Sequence, residues 1–135
     1  MEPQQPHIRV IRGPAALDVL TSFCKEHLDP LGDSELSLSV QLVLEELVTN
    51  VMRHGYLDQE GTVEVGLDIE SALVTLTIRD RSPTFDPFKQ DTSIIRLDEG
   101  QRGLALVRQL AETINYERSR DEENIVRCTF SRSPR

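Results

Sequence analysis

Glu46 and Asn50 lie four residues apart in the run Glu45-Glu46-Leu47-Val48-Thr49-Asn50, which is followed closely by Arg53-His54-Gly55-Tyr56. In a helix that spacing puts a carboxylate and a side-chain amide on one face. Mg²⁺ prefers oxygen ligands and keeps several of its waters, so one or two protein oxygens plus phosphate oxygens are enough to hold it. Such a face can bind a hydrated ion and a polar reactant together. Taken alone, the pair also fits an ordinary solvated helix face, and its meaning depends on its company in the chain.

Two other segments carry comparable chemistry. Asp80 opens Asp80-Arg81-Ser82-Pro83-Thr84-Phe85-Asp86-Pro87, directly after an apolar alternating stretch. A carboxylate at the end of a strand can accept a hydrogen bond from an exocyclic amine at a pocket mouth, although Asp and Pro also favour turns. Gly100-Gln101-Arg102-Gly103-Leu104-Ala105-Leu106 places two glycines and a cation at the start of a helical pattern. A helix N-terminus offers unpaired backbone N–H groups and a dipole suited to phosphate. Arg102 can add charge-assisted contacts there.

The elements that must position these residues follow from periodicity. His7 to Ile11 alternates as an edge strand and stops at Gly13-Pro14. From Ala15 to His27, Ala16, Leu17, Val19, Leu20 and Phe23 recur at helical spacing. Pro30 and Gly32 break the chain, and Asp33 or Ser34 can cap a second helix that runs to about His54 and stops at Gly55. Leu36, Leu38, Val40, Val43, Leu44, Leu47 and Val48 are among its apolar positions. Thr62 to Ile69 and Leu73 to Arg79 read as a hairpin around Glu70-Ser71. Residues 80 to about 101 show no period, as expected of a lid or binding loop. Gly103 to Ala111 reads as a third helix, and Ile114 to Arg118 with Ile125 to Phe130 as a closing hairpin around Asp121-Glu122-Glu123. Hairpin strands with helices grouped between them imply an α+β sandwich, with a mixed, mostly antiparallel sheet and its helices on one face. One domain is expected over residues 7–132, after a disordered lead-in at 1–6 and before a polar tail at 133–135.

Composition removes several function classes. The chain has 135 residues and a formal net charge of −8, which disfavours nucleic acid and anionic membrane surfaces as partners. Cys24 and Cys128 are the only cysteines and belong to no metal-ligand pattern, and the three histidines lack ligand spacing. No apolar run reaches membrane-spanning length and the N-terminus carries no signal segment, so a reducing cytoplasm is the expected location.

In their order and spacing the three segments resemble the ATP-binding signature of the histidine-kinase-like ATPase superfamily. Within it they are most similar to the small bacterial branch of anti-sigma-factor serine/threonine kinases. Glu46, Asn50 and His54-Gly55-Tyr56 look like the first box. Asp80 to Pro87, ending Phe85-Asp86-Pro87, looks like the second, and Gly100 to Gln109 like the glycine box and its following helix. The resemblance covers about residues 8 to 132. It implies a two-layer Bergerat-type ATP-binding fold that uses ATP and Mg²⁺. Asn50 would then hold the metal beside the phosphates, and Glu46 would be the general base toward a serine hydroxyl or would position a water. Asp80 would bind the adenine amino group, and Phe85 and Leu104 would join the nucleotide site. Gly100, Arg102 and Gly103 would belong to the lid over the phosphates. The implied partners are a sigma factor and a STAS-type anti-sigma-factor antagonist, with a homodimer formed near the first strand and helix.

Two positions depart from that pattern. Ser82, stiffened by Pro83 behind it, stands where the branch usually has Gly, and Glu123-Asn124 replaces a frequent Gly-Thr pair, with Asn124 still able to hydrogen-bond. A nucleotide-gated or nucleotide-blind scaffold without phosphate transfer is the competing reading. The catalytic piece of a sensor histidine kinase is weaker, because no phosphoacceptor helix precedes the boxes. The expected lid lies within Lys89 to Glu99. Amide hydrogen exchange there should slow when ATP and Mg²⁺ are added, and equal protection with and without them would remove the lid assignment.

Overall fold

The computed structural model describes residues 5–11, 13–52, 61–81 and 99–132, with the side chains of 99–103 outside that description. In chain order the elements are β1 (His7–Ile11), α1 (Ala16–Leu28), α2 (Ser34–Asn50), β2 (Thr62–Ile69), β3 (Leu73–Asp80), α3 (Glu99–Leu110), β4 (Thr113–Arg118) and β5 (Asn124–Ser131). A 3₁₀ turn at Asp29–Leu31 joins α1 to α2. The sheet has the order β1-β2-β3-β5-β4, and all four pairings are antiparallel, so the mixed sheet allowed by the sequence resolves to a fully antiparallel one.

The helices form where their apolar residues make a stripe. On α1 that stripe is Ala16, Leu20, Phe23, Cys24 and Leu28. On α2 it is Leu36, Val40, Val43, Leu44, Leu47 and Val48. Leu38 is apolar but 57% exposed, because it lies about 200° round the helix from Leu36 at 3.6 residues per turn. Ile11 and Val19 are the other exposed large apolar side chains among the described residues. Both helical stripes pack on Val63, Val65, Leu67 and Ile69 of β2, on Val74, Leu76 and Ile78 of β3, and on Val126, Cys128 and Phe130 of β5.

The corner between α1 and α2 is built from local polar chemistry. Gly32 takes a left-handed φ of 75°, where a side chain would be strained. Asp33 caps α2 by accepting the N–H of Leu36 at 3.0 Å, so of the two candidate caps the aspartate is used. The buried Ser37 hydroxyl donates to Asp29 at 2.8 Å and accepts from Gln41 at 2.9 Å. His27, near the end of α1, meets the Phe23 ring edge-on with centroids 4.9 Å apart, as an ordinary packing residue.

Two boundaries differ from the sequence reading. The α-helical winding of α2 ends at Asn50 and widens into a π turn at Val51 and Met52, with 53–60 outside the described residues. The third helix begins at Glu99 rather than Gly103, so the glycine box forms its first turn instead of a preceding loop. A glycine in a helix costs only about 1 kcal/mol relative to Ala. That is a small penalty against the packing of Leu104 and Val107 into the core.

Element directions set where a site can form. The N-terminus of α2 and the C-terminus of α3 share a cleft with Phe130 and Ser131 at the end of β5. Glu112, just after α3, donates its N–H to the Thr129 carbonyl and accepts from the Ser131 hydroxyl. From there α2, at 17 residues, runs about 25 Å. That matches the roughly 26 Å of an 8-residue strand such as β3. The C-terminus of α2 and the N-terminus of α3 are thereby carried toward the opposite end of the sandwich. That is the end where β3 finishes at Asp80 and β5 starts at Asn124.

Cys24 and Cys128 sit fully within this core, and burial pushes both thiols up to about 12 from their ordinary 9.0. Their folded pKa values exceed the unfolded ones, so their contribution to stability is whole below about pH 9 and is lost as pH rises toward about 12. An alkylating reagent at pH 8 should therefore modify neither thiol in the native protein, with labelling following urea unfolding. Rapid labelling under native conditions would contradict this packing.

Candidate functional site

Cross-strand register assembles a polar row on the otherwise apolar inner face of the sheet. Val10 of β1 pairs with Val63, Val63 with Asp80, Asp80 with Asn124, and Asn124 with Arg118. Directly opposed residues in antiparallel strands project to the same side. Period-two alternation therefore turns Asp80 toward the helices, in step with Ile78 and Leu76. Asp80 is 5% exposed and Asn124 2%.

A polar group buried there needs hydrogen-bond partners in place of water. Asn124 Nδ2 donates to Asp80 Oδ1 at 3.0 Å. The Asn124 carbonyl oxygen in turn accepts from the Tyr116 hydroxyl and from Arg118 Nη1, each at 2.8 Å. Asp80's chain neighbours reach the same hairpin from the other side. Arg79 pairs with Glu123 at 3.1 Å, and Arg81 donates to the Asp121 carbonyl at 2.9 Å. Residues 79, 80 and 81 thus bind 123, 124 and 121 in a three-point clasp on the β4–β5 turn. Glu122 in that turn has φ 61°, closed by Ser119 N–H to Glu123 O at 2.9 Å.

On α2, Glu46 is partly buried one turn before Asn50, which is 5% exposed. The Asn50 amide nitrogen is buried and, among the described residues, meets no hydrogen-bond partner. An unmet buried donor costs about 1–3 kcal/mol, which makes it a position that an oxygen-rich ligand would relieve. Of the glycine box, the backbones of Gly100, Arg102 and Gly103 form the first turn of α3, while Leu104 is buried in the core. Phe85, Ser82 and the expected lid below Glu99 lie outside the described residues. The described structure therefore brings Asp80 together with Asn124, and its element directions bring Asn50 and the start of α3 toward them. Tyr116 and Arg118 went unnoticed in the sequence. Their signal was the alternation of β4, which sets both on one face with Ile114.

A family model described as "Histidine kinase-like ATPase domain" matches residues 12–130. The chain belongs to this family. Among solved structures, the ATPase domain is similar to the histidine kinase domain of the Erythrobacter litoralis EL346 blue-light activated histidine kinase. There the TM-score is 0.55 at 20% identity, covering 86% of this chain and 63% of that one. It is also similar to the Acinetobacter baumannii histidine kinase AdeS, with a TM-score of 0.52 at 16% identity over 92% of this chain and 67% of that one. At those identities the likeness is one of fold, and the domain spans about two thirds of either chain. No curated protein matches the sequence.

ATPase domains of this family bind ATP, usually with Mg²⁺. The residues present fit such a ligand: a buried carboxylate held by a neutral amide, an unmet buried amide donor on α2, and a helix N-terminus carried to the same end. Among the described residues no three His, Cys, Asp or Glu side chains converge as a metal cage. An ion held here would draw its ligands from nucleotide phosphates, water and one or two protein oxygens. No described helix is long and apolar enough to cross a membrane.

Asn124→Ala should lower stability by about 1–3 kcal/mol, because Asp80 loses a donor while Tyr116 and Arg118 lose an acceptor. Urea unfolding measures it, and a change within 0.5 kcal/mol (roughly the spread of ordinary surface substitutions) would mean that the row carries little.

Proposed function

We propose that this domain is an ATP-dependent serine/threonine protein kinase acting as an anti-sigma factor in a partner-switching pathway. In one state it binds a sigma factor, and in the other it phosphorylates a small STAS-type antagonist. It works in the cytoplasm as a homodimer, with neither nucleic acid nor membrane as partner. The observation that carries the reading is the buried Asp80–Asn124 pair at the end of the sandwich toward which Asn50 and the first turn of α3 are directed.

In this reading Asp80 accepts the exocyclic amine of adenine. Backbone N–H groups at 100–103 meet the phosphates, with Arg102 adding charge and Leu104 fixing the helix in the core. Phe85 contributes an apolar contact from the second box. Asn50 supplies the protein oxygen for Mg²⁺, and the ion when bound offsets negative charge on the phosphoryl oxygens. Glu46, one turn back on the same helix face, takes the proton of the incoming serine hydroxyl. Most of the rate enhancement then comes from positioning, since the partner must deliver its hydroxyl to Glu46.

Ser82-Pro83 supports a second reading, a nucleotide-gated regulator that sequesters its partner without phosphate transfer. A stiffer second box weakens close backbone approach to a nucleotide.

Calorimetry should show Mg²⁺-dependent ATP binding in the wild type that is lost or at least about tenfold weaker in Asn50→Ala. Glu46→Ala should retain ATP binding and lose phosphorylation of the antagonist. Transfer retained in Glu46→Ala would remove it as the base, and partner binding indifferent to ATP and Mg²⁺ would favour the second reading.

A further inference from the structure

Among the described residues the helices cover one face of the sheet and leave the other bare. Alternation sends Val63, Val65, Leu67 and Ile69 of β2 into the core, so Glu64, Gly66 and Asp68 project outward. In the register Gly66 lies between His7 of β1 and Thr77 of β3, and Glu64 is opposite Arg79. Gly66 has no side chain, which leaves a gap in that row. A hollow of about 250 Å³ opens there, with His7, Glu64, Asp68, Thr77 and Arg79 in its lining. A Cβ at residue 66 would meet only the His7 Cβ and the Pro6 carbonyl oxygen, each at 3.9 Å, which is ordinary contact. Backbone packing therefore does not demand glycine at this position. What glycine adds is open space over the strand.

The charges around the hollow are unevenly matched. Glu64 pairs with Arg9 at 2.9 Å, and Arg79 with Glu123 at 3.1 Å. Asp68 has no ion pair among the described residues. Its Oδ1 is shut off from water and, among the described residues, meets no hydrogen-bond donor. A carboxylate that has lost water from one oxygen without gaining a donor keeps an uncompensated charge. It attracts a cation to the side that remains open. The enclosed Oδ1 also selects the kind of cation. Arginine gains its advantage over lysine by presenting two parallel N–H groups to both oxygens of a carboxylate, and here that fork cannot close. An ammonium is a compact point charge that needs one oxygen. The Thr77 hydroxyl beside Gly66 offers it a second acceptor, and the bare strand takes the aliphatic stem. We infer that the hollow at Gly66 is a docking site for a lysine side chain of a partner protein, with its ammonium held by Asp68 and its stem laid over the strand. The site is on the sheet face turned away from Asp80 and the helices, and the inference is independent of the nucleotide reading.

The test uses the whole chain and three blocked tripeptides as probes: acetyl-Gly-Lys-Gly-amide, the same peptide with its lysine Nε-acetylated, and acetyl-Gly-Arg-Gly-amide. Nitrogen–proton NMR follows the backbone amides of Gly66, Asp68 and Thr77 during each titration. The lysine peptide should shift these amides saturably. The acetylated peptide should leave them unmoved, and the arginine peptide should bind several-fold more weakly. Asp68→Asn keeps the shape and removes the charge, and should weaken the lysine peptide about tenfold. Gly66→Leu fills the hollow with a side chain whose Cβ the backbone admits, and should abolish the saturable shifts. Near-wild-type circular dichroism in both variants separates these losses from unfolding. Equal titrations by the lysine and acetylated peptides overturn the inference, as does an unchanged titration in folded Asp68→Asn or Gly66→Leu. Shifts that never saturate and spread over the whole surface also overturn it, since they report attraction to the net charge alone. Equal binding of the arginine peptide overturns the preference for lysine.

Discussion

A carboxylate buried on an apolar sheet face is the constraint on which this end of the molecule depends. Charged groups are disfavoured in low dielectric unless hydrogen bonds replace their water. Asn124 of β5 donates to Asp80, and Tyr116 and Arg118 of β4 donate in turn to Asn124. Three strands are thus joined by side chains as well as by their backbone ladders. Arg79 and Arg81 add a tie from each side of Asp80 to the hairpin turn. The surface pair Arg79–Glu123 is worth little in isolation. Its geometric effect is larger than its energy, because it acts in register with the buried bond one residue away.

The helices answer a different demand. They bury the rest of the inner face, from Val65 to Phe130, with an interlocking apolar core. α1 and α2 are joined by a tight corner at Gly32 and Asp33, and α2 runs from that corner toward the Asp80 end of the sandwich. The corner lies far from the polar row, yet it determines which end of α2 arrives there. Asn50 arrives at that end because it is the last α-helical residue of a 17-residue helix entered at that corner.

Much of this was legible in the sequence. Alternation in Thr62 to Ile69 and Leu73 to Arg79 placed both central strands and their buried faces, and the apolar stripes placed all three helices. Leu38 misled because an apolar residue contributes to a core only in the right angular sector. The start of α3 misled because glycine is read as a break, whereas packing of Leu104 and Val107 outweighs its propensity cost. In the candidate site, Glu46, Asn50 and Asp80 stood out through local spacing. The Asp80–Asn124 pair did not, since it exists only after residues 44 apart in sequence have been brought opposite each other, and Tyr116 and Arg118 reach Asn124 only through the register of the β4–β5 hairpin. Local periodicity gives faces, while partners across a sheet depend on register.

Register has one more consequence. Side chains alternate across a sheet, so a shift of a single residue exchanges its two faces. The short turn from Ser119 to Glu123, with Glu122 in a left-handed conformation, sets how β5 enters the sheet. One residue inserted there and absorbed by sliding β5 would turn Asn124 outward and bring Glu123 or Ile125 against Asp80. A turn without any ligand-facing residue therefore constrains the site by its length, and change through substitution is open to it where change through insertion is not.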